Sequence, residues 1–183
     1  MYAAKLNDPA KLAGLGLATE FLLSTALYVV IGMTGACETL VAQAFGAKKL
    51  ALCGNYLNRA WLINTLLLIP IFLLLIFTKP LLGLLGQDAA VIEHANTFIL
   101  AAMPSVYFWS QNDLLKRFLS CLNTTWVPMI AQVVASCLHI LWCELFVVKW
   151  GWDLVGLGLA ESLTSFLLLG TTMAYAYFQP EIR

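Results

Sequence analysis

The stretch Gly35-Ala36-Cys37-Glu38-Thr39-Leu40-Val41-Ala42-Gln43-Ala44-Phe45-Gly46-Ala47-Lys48-Lys49 decides how this chain folds. It joins one long apolar segment to the next, and it carries a carboxylate, an amide and several small residues ahead of two lysines. Charged or irregular backbone at membrane depth is tolerated mainly where it is buried in protein or lines a water-filled path. A polar joint of this kind points to a packed bundle with an internal pathway rather than to isolated anchors.

The flanking sequence sets the class. The 183 residues are 61% hydrophobic and 11% charged, with a mean hydropathy of +0.85, well above the usual soluble domain. Apolar residues run in blocks separated by short charged or Pro/Gly joints, which is the transmembrane pattern. Five spans are expected, at about 10–46, 56–77, 89–111, 126–148 and 154–178. Each can cross a hydrocarbon core of about 30 Å at about 1.5 Å per residue. Thr78-Lys79-Pro80, Gly86-Gln87-Asp88, Asn123-Thr124-Thr125 and the Lys149–Asp153 segment read as turns. The fold class is therefore all-α transmembrane, a bundle of about five spans in one unit over 1–183. A formal net charge of zero and the lack of a basic run argue against a nucleic-acid partner, and the lipid bilayer is the expected surroundings.

Basic residues suggest an orientation. Alternating the joints places Lys48, Lys49, Arg59, Lys116, Arg117 and Arg183 on one side, and Lys5, Lys11, Lys79 and Lys149 on the other. The positive-inside rule makes the first side cytoplasmic. Trp61, Trp126, Trp150 and Trp152 are expected near span ends as an aromatic belt. Small-xxx-small pairs at Gly14/Ala18, Gly32/Ala36, Ala42/Gly46 and Gly156/Ala160 allow close helix approach. The five cysteines show no C-x-x-C spacing and read as small buried thiols. No metal, cofactor or enzymatic constellation is expected, and the absence of a Gly-rich phosphate loop leaves an ion gradient as the energy source.

Ionisable residues inside the spans are the functional candidates. An acid at the bilayer centre costs about 2.5–3.5 kcal/mol on insertion scales, so it should face the bundle interior or a wet cavity. Glu38, accompanied by Thr39 and Gln43, is the leading candidate. On an unbroken helix Glu20 would share its face, eighteen positions earlier. Glu20, Glu144 and Glu161 read as interfacial and solvated, and His139 as a hydrogen-bonded core residue. Pro70 reads as a packing kink. Pro104, followed by Ser105, Tyr107, Ser110 and Gln111, is the better cavity-lining bend.

The Gly35–Lys48 stretch resembles the joint after the second helix of the multidrug and toxic compound extrusion (MATE) family, where the eukaryotic pattern is close to A-L-D-T-L-C-G-Q-A-F/Y-G-A-K. Gly54-Asn55-Tyr56-Leu57-Asn58-Arg59-Ala60 resembles that family's G-x-Y-L-Q-R-A entry into helix three. Lys79-Pro80 with Leu84-Leu85-Gly86-Gln87-Asp88 is similar to its exterior turn before helix four, and Pro104 to that helix's proline. Lys116-Arg117-Phe118-Leu119 and Val127-Pro128-Met129 resemble the R-R-F-L-Q…P-M loop, and Gly156-Leu157-Gly158-Leu159-Ala160 the start of helix six.

The resemblance implies one six-helix lobe of a twelve-helix antiporter, here an N-terminal lobe lacking its first helix. Such transporters exchange protons or sodium for small organic cations. The missing helices of the same protein are then expected partners, and the chain alone is expected to be inactive. Glu38 and Gln43 would line or gate the cytoplasmic end, and Pro104 and Gln111 would shape a cavity-facing bend. Two departures from the family pattern are Glu38, where Asp is usual, and Ser120-Cys121-Leu122, where Q-A-Q is usual. A plasma, vacuolar or vesicular membrane is expected. Other possibilities are a non-transporting scaffold or remnant, and a lipid-linked saccharide flippase, whose cavity should carry Arg or Lys for pyrophosphate.

Overall fold

A computed structural model describes residues 8–178; Lys5 and Arg183, used above for orientation, lie outside that range. Helix α1 spans Pro9–Leu22 and starts with Pro9 in its first turn and Asp8 as cap, whose carboxylate accepts from the Ala10 amide at 2.9 Å. It passes through a π-helical turn, Leu23–Leu27, into α2, Tyr28–Gly46. Helix α3 covers Leu50–Ile76, α4 Thr78–Leu84, α5 Ala89–Cys121 and α6 Trp126–Cys143, which ends in a second π-helical segment, Glu144–Lys149. Helix α7 spans Asp153–Phe178. Five helical stretches are long and apolar enough to cross a membrane, at Pro9–Gly46, Leu50–Ile76, Ala89–Cys121, Trp126–Lys149 and Asp153–Phe178.

Several details differ from the sequence expectation. The polar stretch around Glu38 is regular helix to Gly46, within the first span expected at about 10–46, and the chain then reverses in three residues with Lys48 in a left-handed conformation (φ 58°). Helix α3 begins at Leu50 rather than near 56, so Trp61 sits well inside it and not at a span end. Thr78-Lys79-Pro80 is the first turn of a short helix, with the buried Thr78 hydroxyl donating to the Leu75 carbonyl at 2.6 Å. Helix α5 runs on past 111 to Cys121, unbroken through Pro104. The π turn adds one residue to the Pro9–Gly46 stretch, which rotates the downstream face by about 100°. Glu20 therefore does not share the face of Glu38; it is exposed.

Helix α5 is the hub. It packs against α1, α2, α3 and α7, whereas α6 packs chiefly on α7. At 33 residues it is about 50 Å long, well over the hydrocarbon thickness. Small residues set its spacing to its neighbours. A Cβ on Gly14 of α1 would stand 2.7 Å from the His94 Cβ, and one on Gly158 of α7 would stand 2.7 Å from the Ala101 Cβ. Ser162 also donates to the Ala101 carbonyl at 3.1 Å across the α5–α7 contact. Of the four small-residue pairs, Gly14/Ala18 and Gly156/Ala160 are buried, while Gly32/Ala36 and Ala42/Gly46 lie on the exposed face of α2.

The apolar core is in two parts. One holds Val30, Leu68 and Val106 with residues of α1, α4 and α7; the other holds Cys37, Ala60 and Leu114 with the remainder of α2, α3 and α5. Between them lies a buried polar layer of Thr34 on α2, Asn64 on α3, and Ser110, Gln111, Asn112 and Asp113 on α5.

The glycine contacts give a stability test. Gly158→Ala forces backbone apart, because the new Cβ also meets Ala101 C and Ala102 N at 2.9 Å, and is expected to cost about 1–3 kcal/mol. Nothing lies within 4 Å of a Cβ at Gly16, so Gly16→Ala should be neutral or stabilise by up to about 1 kcal/mol. Unfolding of the purified chain in detergent measures both.

Candidate functional site

The polar layer opens at one side into an ion-pair ladder built by helical spacing. Thr34 and Glu38 are four residues apart on α2, and Asp113 and Arg117 four apart on α5, so each pair presents one face. Where the helices meet, the Thr34 hydroxyl donates to Asp113 Oδ2 at 2.8 Å and Arg117 Nε donates to the same oxygen at 2.7 Å. Arg117 Nη1 then donates to Glu38 Oε2 at 2.6 Å. Lys116 Nζ reaches Asp113 Oδ1 at 3.2 Å, and the Cys121 thiol donates to the Glu38 carbonyl at 3.4 Å. Asp113 is 3% exposed, whereas the Glu38 side chain is 43% exposed. The cluster of two acids and two bases is neutral, which is how a buried carboxylate is tolerated in a span.

A second polar set lies on the α3-facing side of α5. The Asn64 amide donates to Gln111 Oε1 at 3.4 Å, and the Gln111 amide donates to the Thr65 hydroxyl at 2.9 Å. A third element is a cavity of about 270 Å³ between the α1–π segment, α5 and α7, lined by Thr19, Phe98, Ser105, Trp109 and Glu161 among others. Beside it, the Thr164 hydroxyl donates to the Ala160 carbonyl at 2.7 Å, so His139 Nδ1, 3.0 Å away, is the donor to Thr164. His139 Nε2 then faces the Cys143 thiol at 3.4 Å and Glu161 at 3.9 Å. At the opposite end of the bundle from Arg117, Lys11 pairs with Asp153 at 2.5 Å and Lys79 with Glu93 at 2.7 Å.

This architecture matches known proteins over nearly the whole chain. The MatE family model covers residues 1–145. The chain belongs to the MatE family. Among Arabidopsis thaliana proteins similar to it, DETOXIFICATION 36 is 29% identical over 183 residues, which is all of this chain and 36% of that protein. DETOXIFICATION 29 is 34% identical over 129 residues, 70% of this chain and 26% of the other. The crystal structure of the eukaryotic MATE transporter AtDTX14 superposes with a TM-score of 0.92 at 28% identity, covering 98% of this chain and 40% of that one. An inward-facing multidrug resistance MATE family transporter gives 0.84 at 18% identity, covering 96% and 41%, and speaks to the fold alone. The matched regions thus span between about a quarter and little more than a third of the length of the curated relatives.

Within the MatE bundle the four expected pathway residues fall in different places. Glu38 is in the ladder. Gln111 is buried against Asn64 and Thr65. Gln43 is exposed near the end of α2, and Pro104 is exposed on α5 next to Ser105, which lines the cavity. Glu161, read as interfacial and solvated, is exposed and stands at the wall of that cavity. His139 is hydrogen-bonded, as expected. Sequence reasoning missed Asp113, Thr34 and Asn64. The signal was present in Gln111-Asn112-Asp113 with Arg117 four residues on, but closing the span at 111 put that run in a loop.

Removing Arg117 leaves Asp113 buried with only Lys116 and Thr34. Arg117→Ala is expected to cost about 3 kcal/mol or more in unfolding free energy. Glu38→Gln at the exposed rung should cost about 1 kcal/mol or less. Equal losses in thermal or denaturant unfolding would contradict this ladder.

Proposed function

We propose that this chain forms the N-terminal lobe of a secondary active antiporter that exports organic cations and other xenobiotics in exchange for protons or sodium. The observation that carries the reading is the cavity between α1, α5 and α7. It is apolar and aromatic, with Phe98 and Trp109 on its wall, and Glu161 is the one ionisable residue among those lining it. Such a lining favours a cation, through ring faces and a single acid. It offers no lysine or arginine for a pyrophosphate, which counts against the saccharide-flippase reading.

Family membership supports transport over a scaffold role, and the names of the relatives point to detoxification and multidrug resistance. In this reading helix one and a second lobe complete the transporter. The basic residues place Lys48, Lys49, Arg59, Lys116 and Arg117 at the cytoplasmic side. Glu38 and Gln43 then line or gate that end of the lobe, with Arg117 holding Glu38. Pro104 and Gln111 shape the α5 segment that runs from the cavity to the ladder. The protein resides in the plasma membrane or in a vacuolar or vesicular membrane.

Efflux of ethidium from vesicles holding the complete transporter tests the reading. A proton or a sodium gradient, imposed separately, is expected to drive efflux, and the effective gradient names the coupling ion. Loss of a charge-assisted contact is worth about tenfold, so Glu161→Gln and Glu38→Gln should each slow efflux by about that factor. Efflux indifferent to both gradients, or untouched by both substitutions, would instead favour the scaffold.

A further inference from the structure

His139, beside the aromatic cavity, is a titratable group that the cation-binding reading leaves unused. Histidine is the side chain whose charge ordinarily changes between about pH 5 and 8. The ring stands on α6, which packs on α7 and on the π-helical segment Glu144–Lys149. The Thr164 hydroxyl gives its proton to the Ala160 carbonyl, so it accepts from His139 Nδ1–H. The Nε2 lone pair is then the place where a further proton can bind. Two groups face that nitrogen: the Cys143 thiol at 3.4 Å on the same helix, and Glu161 Oε2 at 3.9 Å on α7.

The surrounding charges leave this pair to itself. On the same elements Cys137 is exposed on α6, Glu144 and Lys149 lie in the π-helical segment, and Asp153 is held by Lys11 at the start of α7. Tyr175 and Tyr177 lie toward the other end of α7, and α5 carries no charged residue between His94 and Asp113. Among the described residues no lysine or arginine pairs with Glu161. The side chains of His139 and Glu161 are 33% and 50% exposed, so the described helices wall neither of them off from a proton. Glu161 is also the one ionisable residue lining the cavity. Its carboxylate therefore has two possible counter-charges, an imidazolium on α6 and a cation in the cavity.

We propose that His139 and Glu161 form a proton-binding pair whose proton decides whether the cavity accepts a cation. The proposal rests on the reading of that cavity as a cation site. With Nε2 bare, the Cys143 thiol donates to it and Glu161 presents an uncompensated negative charge at the cavity wall. A proton arriving at Nε2 takes the lone pair, and the new Nε2–H donates to the Glu161 carboxylate. Closing 3.9 Å to hydrogen-bond length needs only a side-chain rotation, and Cys143 then turns its sulfur, a weak acceptor, to the ring. The pair is now neutral, and an entering cation meets an imidazolium beside its only counter-charge. Binding of the cation reverses the step and returns at most one proton to solvent. His139 acts here through Glu161 and is a positioning residue.

Ethidium, a fixed cation, is titrated against the chain in lipid nanodiscs between about pH 5.5 and 8. Proton release is followed with a pH dye in weak buffer. Loss of a charge-assisted contact is worth about tenfold, so the Kd should rise by about that factor from the basic to the acidic end. At the acidic end it should approach the Kd of Glu161→Gln, and near the middle binding should release up to one proton per ethidium. His139→Asn keeps an amide donor for Thr164 and removes the titration. It is expected to bind ethidium equally well across the range and to release no proton. The wild-type proton release stands as a measurement on its own should that variant fold poorly. An affinity independent of pH with no proton released, while Glu161→Gln still weakens binding, would overturn the proposal and leave the cation site intact. An unchanged pH dependence in His139→Asn would overturn it as well. No binding of ethidium, or binding untouched by Glu161→Gln, would remove the cation site itself and the proposal with it.

Discussion

A carboxylate held in the span of a membrane protein has to be neutralised where it sits, and the buried Asp113 imposes that requirement on the helices around it. Its two oxygens collect Thr34, Arg117 and Lys116, and Arg117 passes the connection on to Glu38. These contacts fix α2 against α5 in both register and rotation, because helical spacing brings Thr34 and Glu38 onto one face and Asp113 and Arg117 onto the other. Lipid gives no hydrophobic drive for helices to associate, so packing of small residues and internal polar contacts must supply it. The ladder does this at one end of α5, and Gly14 and Gly158 do it further along the same helix.

The two devices divide the molecule. Close glycine contacts join α1 and α7 to the half of α5 that carries the aromatic cavity. Charge and amide contacts join α2 and α3 to the half that carries Arg117. The polar layer from Thr34 through Asn64 to Asp113 is where the two halves meet, and it separates the two apolar clusters. The aromatic cavity touches α5 from the α1 and α7 side.

Much of this was legible in the sequence. Five apolar runs gave five spans, the first of them expected to run on to Gly46. The resemblance of the Gly35–Lys48 stretch identified the family. The centre of the site was less accessible, for a physical reason. Helix α5 has the lowest mean hydropathy of the five spans, 1.2 against 2.1 for α3, because its surroundings are other helices rather than lipid. Polar residues satisfied by neighbours depress hydropathy, and a window that reads falling hydropathy as a span end stops before Asn112 and Asp113. The π turn at Leu23–Leu27 was invisible for another reason: it is a packing adjustment with no side-chain signature, and it alone removed Glu20 from the face of Glu38. The short helix α4 was hidden behind Pro80, which suits a first helical turn as well as a loop.

A double-mutant cycle between Asp113 and Arg117 tests the central claim most directly. Unfolding free energies of Asp113→Asn, Arg117→Gln and the double variant would be measured in the same detergent. If the pair is the constraint that sets α2 against α5, the double variant loses less than the sum of the single losses, with a coupling of at least about 1.5 kcal/mol. Additivity within about 0.5 kcal/mol would mean that the two charges do not depend on each other, and the ladder would not be what holds these helices in place.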